Sequence, residues 1–531
     1  MKRRLVFITI FLVSLVLASV SASGAEKSDE KAALEKAKEE KMQEVKDSRH
    51  RSFFQALYHL DEYKPTWKYL EWGVEERIRF DAYNNLKDVE YDRDDRESQF
   101  RFRTRVWTRF KPLVDYEPLK KTEIYMRWVN EYRAFTNRKR SRASKYTGSE
   151  SVIMDQLYLK LEEPWKVPMY LRVGRMDMAK NILGDGFFFY DFTPGESSRT
   201  KFFDGFDVGF WWPRKDKKAD HFTMLQVLGA YNTDDWYAVI NEDNDDQRLL
   251  RRYDRERWLM FWLTHESKYT LRQKMELFYM PYTIKSNRHD EWGNDLHKDL
   301  PADMRAPDFK YTPDMKMHVF GGRLSGKVFP DFFDERLSYL LQAGWQMGSY
   351  GDDSLQAYCA STKAKYKVPL PKKLAPLKPY VSAGYEVFSG DKEDTDRREG
   401  WVWPPTWQSP RPPYGHVVRD ALRGYEGDYP YSNMQAIPVE LGWSPFCDKV
   451  TFKHYWAPIW ALERRHAADP DEFGNTRFKG NALFNVVKWD ITKWLSTKVQ
   501  FEYFKPGNFY YHDDDTPDPS WFARYELNIK F

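Results

Sequence analysis

The chain has 531 residues, of which 31% are charged and 17% aromatic, and its formal net charge is +4. Its 36 Phe, 34 Tyr and 21 Trp exclude a disordered chain, since so many rings require a structure that buries or shields them. Two cysteines, Cys359 and Cys447, exclude a disulfide-stapled scaffold. No internal stretch is apolar and uncharged over the ~20 residues of a membrane-spanning helix. The chain is therefore polar on average and yet rich in aromatic residues.

Residues 1–25 have the three parts of a secretory signal peptide. Three basic residues precede an apolar run over residues 5–20, and small residues follow up to Ala25. An uncleaved membrane anchor is the alternative, which the short apolar run disfavours. Cleavage removes the three basic residues and leaves a net charge of about +1. The whole-chain charge therefore indicates neither a polyanionic partner nor a nucleic acid.

Residues 26–69 are predicted to form a charged helical or flexible periplasmic segment. Lys and Arg alternate with Glu and Asp over residues 26–51, without Gly or Pro, and helix-forming residues dominate. The alternative is a coiled coil that binds a periplasmic partner. Leu34, Met42 and Val45 are too few for the apolar seam of such a coil.

From Leu70 to the last residue, apolar and polar residues alternate with the period of two that β-strands show. In residues 100–111 the even positions are Phe, Thr or Val and five of the six odd positions are basic, which no amphipathic helix produces. About 18 strands are predicted, within the range of bacterial barrels. They cover residues 70–83, 100–111, 124–134, 157–161, 169–173, 202–212, 222–231, 258–263, 275–282, 317–325, 337–347, 357–366, 380–388, 434–443, 450–456, 482–489, 497–504 and 521–531.

The connections between these strands differ in length at the two ends of the sheet. Short links such as 111–122 and 162–168 alternate with long polar inserts at 88–98, 232–257, 286–316, 391–431 and 461–477. Unequal ends are typical of outer-membrane barrels, and the absence of a helical layer excludes an α/β fold. We predict an all-β, transmembrane antiparallel β-barrel of about 16–18 strands over residues 70–531.

A soluble β-sandwich or propeller would show the same alternation, but two further features favour a membrane. The polar face is densely charged, as a wet lumen requires, and aromatic residues cluster near segment ends, as in the girdles of membrane barrels. These aromatic residues are Trp72, Tyr83, Trp107, Trp128, Tyr132, Trp211, Trp212, Trp443, Trp456, Trp489 and Trp494.

The C-terminal segment also favours a membrane barrel. Apolar residues alternate with polar ones over residues 521–531 and end on Phe531. Such an exposed strand would aggregate in water, but it is expected where it seals a barrel. The segment also resembles the C-terminal signal that outer-membrane proteins present to their assembly machinery. We therefore predict a location in a Gram-negative outer membrane, with membrane lipid and the assembly machinery as partners.

Five short motifs occur in the order and spacing of a known family. Residues 155–159 (Asp-Gln-Leu-Tyr-Leu) are similar to an Asn-Gln-Ala-Tyr-Leu strand, and residues 171–175 (Leu-Arg-Val-Gly-Arg) to a Val-Gly-Arg-Gln element. Residues 202–206, 385–391 and 503–509 are similar to an Arg-Phe-Asp-Gly element, a Tyr-x-x-x-Ser-Gly-Asp strand end and a Phe-Phe-Pro-Gly-x-Phe turn. The chain resembles, over residues 70–531, the alginate-export family of outer-membrane barrels.

That resemblance implies a barrel of about 18 strands whose arginine-lined pore passes an anionic polysaccharide. The chain departs from the family at residues 174–176 (Gly-Arg-Met), where the family has Gln, and in the loops that begin at Asn232 and Asp391. These departures bear on the substrate more than on the fold.

If the apolar face of each strand contacts lipid, the charged face lines the lumen. Arginine binds carboxylates bidentately and keeps its charge when crowded, and rings of Arg or Lys select anions. Interspersed carboxylates would interrupt the binding of a polymer and let it move on. The predicted pore-lining residues are Glu75, Arg77, Arg79, Asp81, Arg101, Arg103, Arg105, Arg109, Lys111, Arg127, Glu131, Arg133, Arg172, Arg175 and Lys453.

The alternative for any of these pore-lining residues is a salt-bridged wall without a role in transport. Arg175 falls on the apolar face of Val173 and Leu171, so it reaches the lumen only if the strand ends there or a bulge turns the side chain inward.

Metal and catalytic signals are weak. The acidic runs 241–246 and 513–515 offer oxygen ligands for Ca²⁺, but they lack the 12-residue loop with its central Gly, so solvated loops are favoured and no cofactor is expected. No Gly-x-Ser-x-Gly, His-Glu-x-x-His or phosphate-binding loop occurs, so we predict no enzyme.

The predicted function is a passive outer-membrane channel for an anionic polysaccharide or oligosaccharide. The alternatives are a structural or plugged barrel, a general anion-selective porin, and a secreted carbohydrate-active β-protein. Aromatic residues of the long loop after residue 391 would either stack on sugars or pack the loop; these are Trp401, Trp403, Trp407 and Tyr414.

Overall fold

The computed structural model describes the regular part of the chain from Trp67 onwards. The described residues are 67–85, 96–138, 148–149, 152–177, 202–212, 221–232, 256–267, 273–284, 314–392, 395, 397–402, 417–418, 432–445, 448–464, 476–510 and 518–531. All of them belong to one compact unit, Thr66–Phe531. The signal peptide and the charged segment therefore stay predictions, because residues 1–66 lie outside this range.

Within the described residues, eighteen strands follow one another around a closed antiparallel sheet, as predicted. They are β1 (Leu70–Asn84), β2 (Glu97–Phe110), β3 (Thr122–Arg138), β4 (Ile153–Glu162), β5 (Met169–Met176), β6 (Phe203–Trp212), β7 (His221–Asn232), β8 (Glu256–Ser267), β9 (Lys274–Ile284), β10 (Met315–Lys327), β11 (Leu337–Tyr350), β12 (Asp353–Lys367), β13 (Tyr380–Phe388), β14 (Met434–Ala436 and Val439–Trp443), β15 (Val450–Trp460), β16 (Phe478–Asp490), β17 (Leu495–Pro506) and β18 (Ser520–Lys530).

Small elements complete the described part. Two-residue strands, Gly148–Ser149 and Arg397–Arg398, pair with β3 and β12. Short helical turns occupy Glu117–Leu119, Pro164–Lys166, Pro330–Phe333, Ala375–Leu377 and Asn508–Tyr510. No helix among the described residues is long and apolar enough to cross a membrane.

β14 is interrupted at Ile437 and Pro438, because proline has no N–H to donate to the ladder. The wall is nevertheless continuous there. Gly384 N–H donates to Pro438 O at 3.0 Å, and Ile437 N–H donates to Pro458 O at 3.3 Å.

The first and last strands close the barrel. β1 pairs antiparallel with β18 from Glu75 opposite Lys530 to Asn84 opposite Trp521. Phe531 completes the seam, since its N–H donates to Val74 O at 2.7 Å and its O accepts from Val74 N–H at 2.8 Å. Among the described strands the closed ladder leaves no unpaired edge, which a lipid environment requires.

The charged face of the early strands points inward. In β1, Arg77, Arg79 and Asp81 are buried, whereas the alternate Ile78 and Phe80 are only partly buried. Around the barrel, large apolar side chains on the opposite face are more than a third exposed, which confirms an outer apolar surface suited to lipid. Examples are Val173, Phe206, Leu225, Phe261, Leu277, Phe320, Leu441, Trp456, Val499 and Tyr525.

The simple rule that the apolar face contacts lipid is wrong for part of β8–β12. There the inward residues near the long-loop end are apolar as well, and they form a buried core within the barrel. In β8 and β9 both faces are apolar, so alternation alone could not assign them. In β10 and β12 the outward positions carry the polar Lys316, His318 and Gln356, so alternation assigns these stretches to the wrong face. Members of this core are Trp258, Met260, Trp262, Met280, Tyr282, Met315, Val319, Leu355 and Ala357.

Part of the predicted aromatic girdle also lies elsewhere. Tyr83 and Trp211 are buried on the inward face, where Trp211 stacks on Tyr170 with ring centroids 6.1 Å apart. Trp212, Trp456 and Trp489 are exposed, as a girdle requires.

Candidate functional site

The structure brings most of the predicted pore residues together on one inward wall. Arg103 lies opposite Arg77 on β1, and it also lies opposite Glu131 on β3. The contiguous residues of this wall, which we call the arginine wall, are Glu75, Arg77, Arg79, Asp81, Arg101, Arg103, Arg105, Arg109, Arg127, Glu131 and Arg133. Lys111 follows β2 at the short-turn end and pairs with Glu71.

Carboxylates neutralise much of the arginine wall near the seam. Arg101 Nη2 lies 3.1 Å from Glu131 Oε1, and Arg101 Nη1 lies 3.6 Å from Asp81 Oδ2. Arg79 pairs with Glu526 of β18. Arg105 Nη1 lies 3.7 Å from Glu75 Oε2. The lumen surface here is therefore a lattice of both charges rather than a row of free cations.

A second group of carboxylates surrounds Arg127. Its Nε and Nη2 donate to Asp155 Oδ1 and Oδ2 at 2.8 and 2.7 Å, and Nη2 also donates to Asp177 at 2.9 Å. Sequence reasoning missed both aspartates. The register shifts between Arg127 and Trp128, where β3 pairs with β4, so counting alternate residues did not place Asp155 beside Arg127.

Arg172 of β5 extends the charged surface to β6 and β7. Its Nη2 donates to Asp207 Oδ2 at 2.9 Å. Asp207 is fully buried and also accepts hydrogen bonds from Tyr170 Oη and Gln226 Nε2, each at 2.9 Å. Arg172 is thus held in place by a carboxylate that sequence reasoning did not single out.

Arg103 differs from its neighbours in its charge balance. It is 8% exposed, and its Nε has no hydrogen-bond partner. None of the ion pairs formed by the described residues includes Arg103. Arg77 lies directly opposite on β1, so two guanidinium groups face each other in this row of the wall.

Arg175 stays on the other face. It pairs in register with Leu157 and Asp204, on the side of the exposed Val173 and Phe206. Its Nε and Nη2 both donate to Asp204 at 2.9 Å, and its guanidinium lies 4.6 Å from the Phe202 ring. Arg175 therefore lies outside the arginine wall.

Lys453 lies on a different inward wall, formed by β12–β15. It stands opposite Gly442, on the row that also contains Lys367 and Tyr380. Lys363 and Lys365 lie on the adjacent rows of β12. Sequence reasoning found only Lys453, although the lysines at alternate positions 363, 365 and 367 show the same signal as the arginines of β2.

Residues of the β13–β14 connection fill the long-loop end of the lumen. Trp401 and Val402 are fully buried, and Trp401 contacts Phe388 edge-to-face. Gln346 of β11 accepts from Val402 N–H at 3.0 Å and donates to Val402 O at 2.8 Å. Val417 N–H donates to Glu502 of β17 at 2.9 Å. Trp403, Trp407 and Tyr414 lie outside the described residues.

The acidic runs and the two cysteines were the candidates for metal and thiol chemistry. Both acidic runs, 241–246 and 513–515, lie outside the described range, and no cluster of three metal-ligating side chains occurs among the residues within it. Cys359 is a buried free thiol, and Cys447 lies outside the range.

An exposed cluster joins the start of β1 to the first short turn. Lys68 Nζ lies 2.6 Å from Asp115 Oδ1, and Tyr69 Oη donates to Asp115 Oδ2 at 2.7 Å. The hydrogen bond from Lys68, followed by that from Tyr69, lowers the pKa of Asp115 below its ordinary value. The same pairing raises the pKa of Lys68.

The chain is similar to solved structures of bacterial outer-membrane proteins. OpdK from Pseudomonas aeruginosa, crystallised with vanillate, is 9% identical, with a TM-score of 0.50 over 87% of this chain and 98% of its own. A second OpdK structure from that organism is 8% identical, with 0.49 over 87% and 99%. A BenF-like porin from Pseudomonas fluorescens Pf-5 is 9% identical, with 0.48 over 87% and 98%. At 9% identity, the likeness to the OpdK structure with vanillate shows the fold alone.

Sequence comparison identifies the family. No curated protein matches the chain, but the family model described as alginate export matches residues 245–523, just over half of it. The closed barrel and its apolar outer surface agree with this match and place the protein in the Gram-negative outer membrane. The chain belongs to the alginate export family and is an outer-membrane channel.

Proposed function

We propose that the barrel passes an anionic polysaccharide or oligosaccharide through its lumen by passive diffusion along the arginine wall. The observation that carries the proposal is the inward stack of arginines on adjacent strands, with Arg77 opposite Arg103 and Arg79 opposite Arg101. The family description, alginate export, supports a substrate of this class, because alginate is a polymer of carboxylate-bearing sugars.

The ion pairs within the arginine wall weaken its attraction for anions without removing it. A guanidinium has five N–H donors, and a bidentate pair uses only two of them. Arg127, for example, is neutralised by Asp155 and Asp177. Arg103 takes part in no ion pair among the described residues. A polyanion would therefore meet strong and weak contacts in turn, which favours movement over tight binding.

A structural or plugged barrel is the second candidate, and one observation favours it. Trp401 and Val402 are fully buried among inward-facing side chains, so the β13–β14 connection narrows the lumen. A general anion-selective porin is the third candidate, since small anions would respond to the same wall.

Planar-bilayer conductance of the purified barrel tests the proposal. We expect anion-selective current and its reduction by added polyuronate. Replacement of Arg101, Arg103 and Arg105 with Ser should lower the anion selectivity. Replacement of the exposed turn lysines Lys372, Lys373 and Lys378 with Ser removes the same charge from outside the wall and should change it less.

Two results would contradict the proposal. Absence of current from a barrel with heat-modifiable gel mobility would favour a plugged barrel, and cation selectivity would exclude the arginine wall as an anion path. Anion current that polyuronate does not affect would favour a general anion porin.

A further inference from the structure

A recess of about 240 Å³ opens in the lumen wall formed by β12–β15. It lies on the inward face, because the alternate residues Tyr385, Leu441 and Trp456 are exposed on the outside. Gly384, opposite Lys363, lets the two strands approach closely beside it, since a Cβ there would lie 2.3 Å from Thr362 O. The lining consists of Thr362, Lys363, Ser382, Glu386, Pro438, Glu440 and Tyr455. The recess is smaller than the roughly 300–1,000 Å³ of pockets for drug-sized ligands, which suits one sugar ring.

Glu440 is held rigidly at the floor of this recess. Its Oε2 lies 2.6 Å from Lys363 Nζ and 3.3 Å from Ser382 Oγ, and its Oε1 accepts from Tyr380 Oη at 2.6 Å. Lys363 balances the charge of this carboxylate. The floor therefore offers fixed acceptors and donors, the pattern that recognises sugar hydroxyl groups.

Two further lysines border the recess without a carboxylate partner among the described residues. Lys365 lies opposite Ser382, and its Nζ stands 3.5 Å from the centre of the Tyr380 ring. That ring positions the ammonium group but leaves its charge intact. Lys453 lies opposite Gly442, one row from Glu440 and Tyr455. Positive charge is thus concentrated next to a polar recess of sugar size.

We propose that this recess, together with Lys365 and Lys453, binds one uronic acid unit of the transported chain. The sugar hydroxyls meet Glu440, Ser382 and Glu386, and the carboxylate meets the two ammonium groups. The inference rests on the proposed function and names a binding site for it on a wall separate from the arginine wall. As a polysaccharide moves through the lumen, its successive sugar units would each bind here transiently.

The test measures block of the single-channel current of the full barrel by a mannuronate trisaccharide, with its carboxyl-reduced neutral analogue as a second probe. We expect wild type to be blocked by the acidic trisaccharide and not by the neutral one. Lys365→Met and Lys453→Met should each raise the blocking constant about tenfold, as expected for loss of one charge-assisted hydrogen bond. Ser382→Ala removes one hydroxyl contact and should raise it less.

The matched control is Lys373→Met, which removes one positive charge from the exposed turn between β12 and β13. It should leave the blocking constant within about twofold of wild type, because an exposed charge in that turn is screened by solvent. Heat-modifiable mobility of every variant verifies that the barrel has folded. If Lys365→Met or Lys453→Met fails to fold, the Lys365→Gln and Lys453→Gln variants replace it.

The outcomes separate this inference from the proposed function. If the trisaccharide blocks wild type and both lysine variants equally, the recess is not the site, although transport of uronates survives. If the neutral analogue blocks as well as the acidic one, the role of the lysines is overturned. If no uronate affects the wild-type current, the proposed function itself fails.

Discussion

Arg524 of the last strand and Asp81 of the first strand form a bidentate ion pair across the seam of the barrel. Arg524 Nε lies 2.5 Å from Asp81 Oδ1, Arg524 Nη2 lies 3.0 Å from Asp81 Oδ2, and both side chains are almost fully buried. The two residues are 443 positions apart in the chain. This pair therefore depends on closure of the sheet.

We expect Arg524→Gln to destabilise the barrel by about 3–5 kcal/mol, because it leaves the buried Asp81 carboxylate short of its main partner. Urea-induced unfolding in lipid vesicles, followed by tryptophan fluorescence, measures the loss. Lys488→Gln is the control, since Lys488 forms a comparable pair with Asp490 at 2.9 Å but is exposed. It should cost less than about 1 kcal/mol. Equal losses in the two variants would contradict a special role of the seam.

Arg103 and Arg127 should respond differently to neutralisation. Arg103→Gln removes a charge without an ion-pair partner among the described residues, so the barrel should keep its stability and lose part of its anion selectivity. A unit charge about 7 Å from the ion path in water contributes roughly 0.6 kcal/mol, or about a threefold change in the permeability ratio. Reversal potentials in a salt gradient measure that ratio.

Arg127→Gln should instead reduce stability, because it removes the guanidinium group that pairs with the buried carboxylates of Asp155 and Asp177. The expected loss is about 3–5 kcal/mol, measured by the same urea titration. A stable Arg127→Gln barrel with unchanged selectivity would show that the aspartates find other partners.

The segment around Val402 should restrict ion flow. Gln346→Leu removes both hydrogen bonds to the Val402 backbone, and we expect a single-channel conductance at least about twofold higher or more frequent open-state fluctuations, because each lost bond costs about 1 kcal/mol. Gln356→Leu, at an exposed position of β12, is the matched control. Identical traces from both variants would show that this segment does not limit the current.

The Asp115 carboxylate, which binds Lys68 and Tyr69, should titrate at acidic pH. The contacts of Asp115 favour its charged carboxylate, so its pKa is lowered. The cluster is therefore complete above about pH 4, the ordinary range of an aspartate. It is lost as the pH falls through the lowered pKa of Asp115. Carboxyl ¹³C NMR measures the titration. Lys68→Met should move the midpoint up towards the ordinary value, and a midpoint unaffected by this change would contradict the assigned cause.

Strand positions were predictable from the sequence because lipid on one side and a charged lumen on the other constrain alternate residues. Each predicted segment overlaps an observed strand, including 521–531, which matches Ser520–Lys530. The segment 157–161 was too short, since β4 spans Ile153–Glu162 and the register shift at Arg127 breaks the alternation.

The inner wall was only partly predictable. The alternation placed Arg77, Arg79, Arg101, Arg103 and Arg105 on one strand face, and the structure sets them opposite one another on β1 and β2. It did not identify Glu526, which pairs with Arg79, or Asp155 and Asp177, which pair with Arg127. Near the long-loop end, Met280 and Met315 face inward. Met280 lies between Tyr279 and Pro281, so both faces of β9 are apolar there, whereas Met315 alternates with the exposed Lys316. Where both faces carry similar residues, a period of two contains no information on direction.

The sequence by itself determined the strand order, the alternation and the terminal apolar strand, because these follow from local periodicity and from what lipid tolerates. Only the tertiary structure decided which charges meet across the seam, where Trp401 and Val402 fill the lumen, and how Lys365 and Lys453 come to flank a recess. Those relationships depend on the register of the closed sheet, which sets the neighbours of each inward side chain over hundreds of residues.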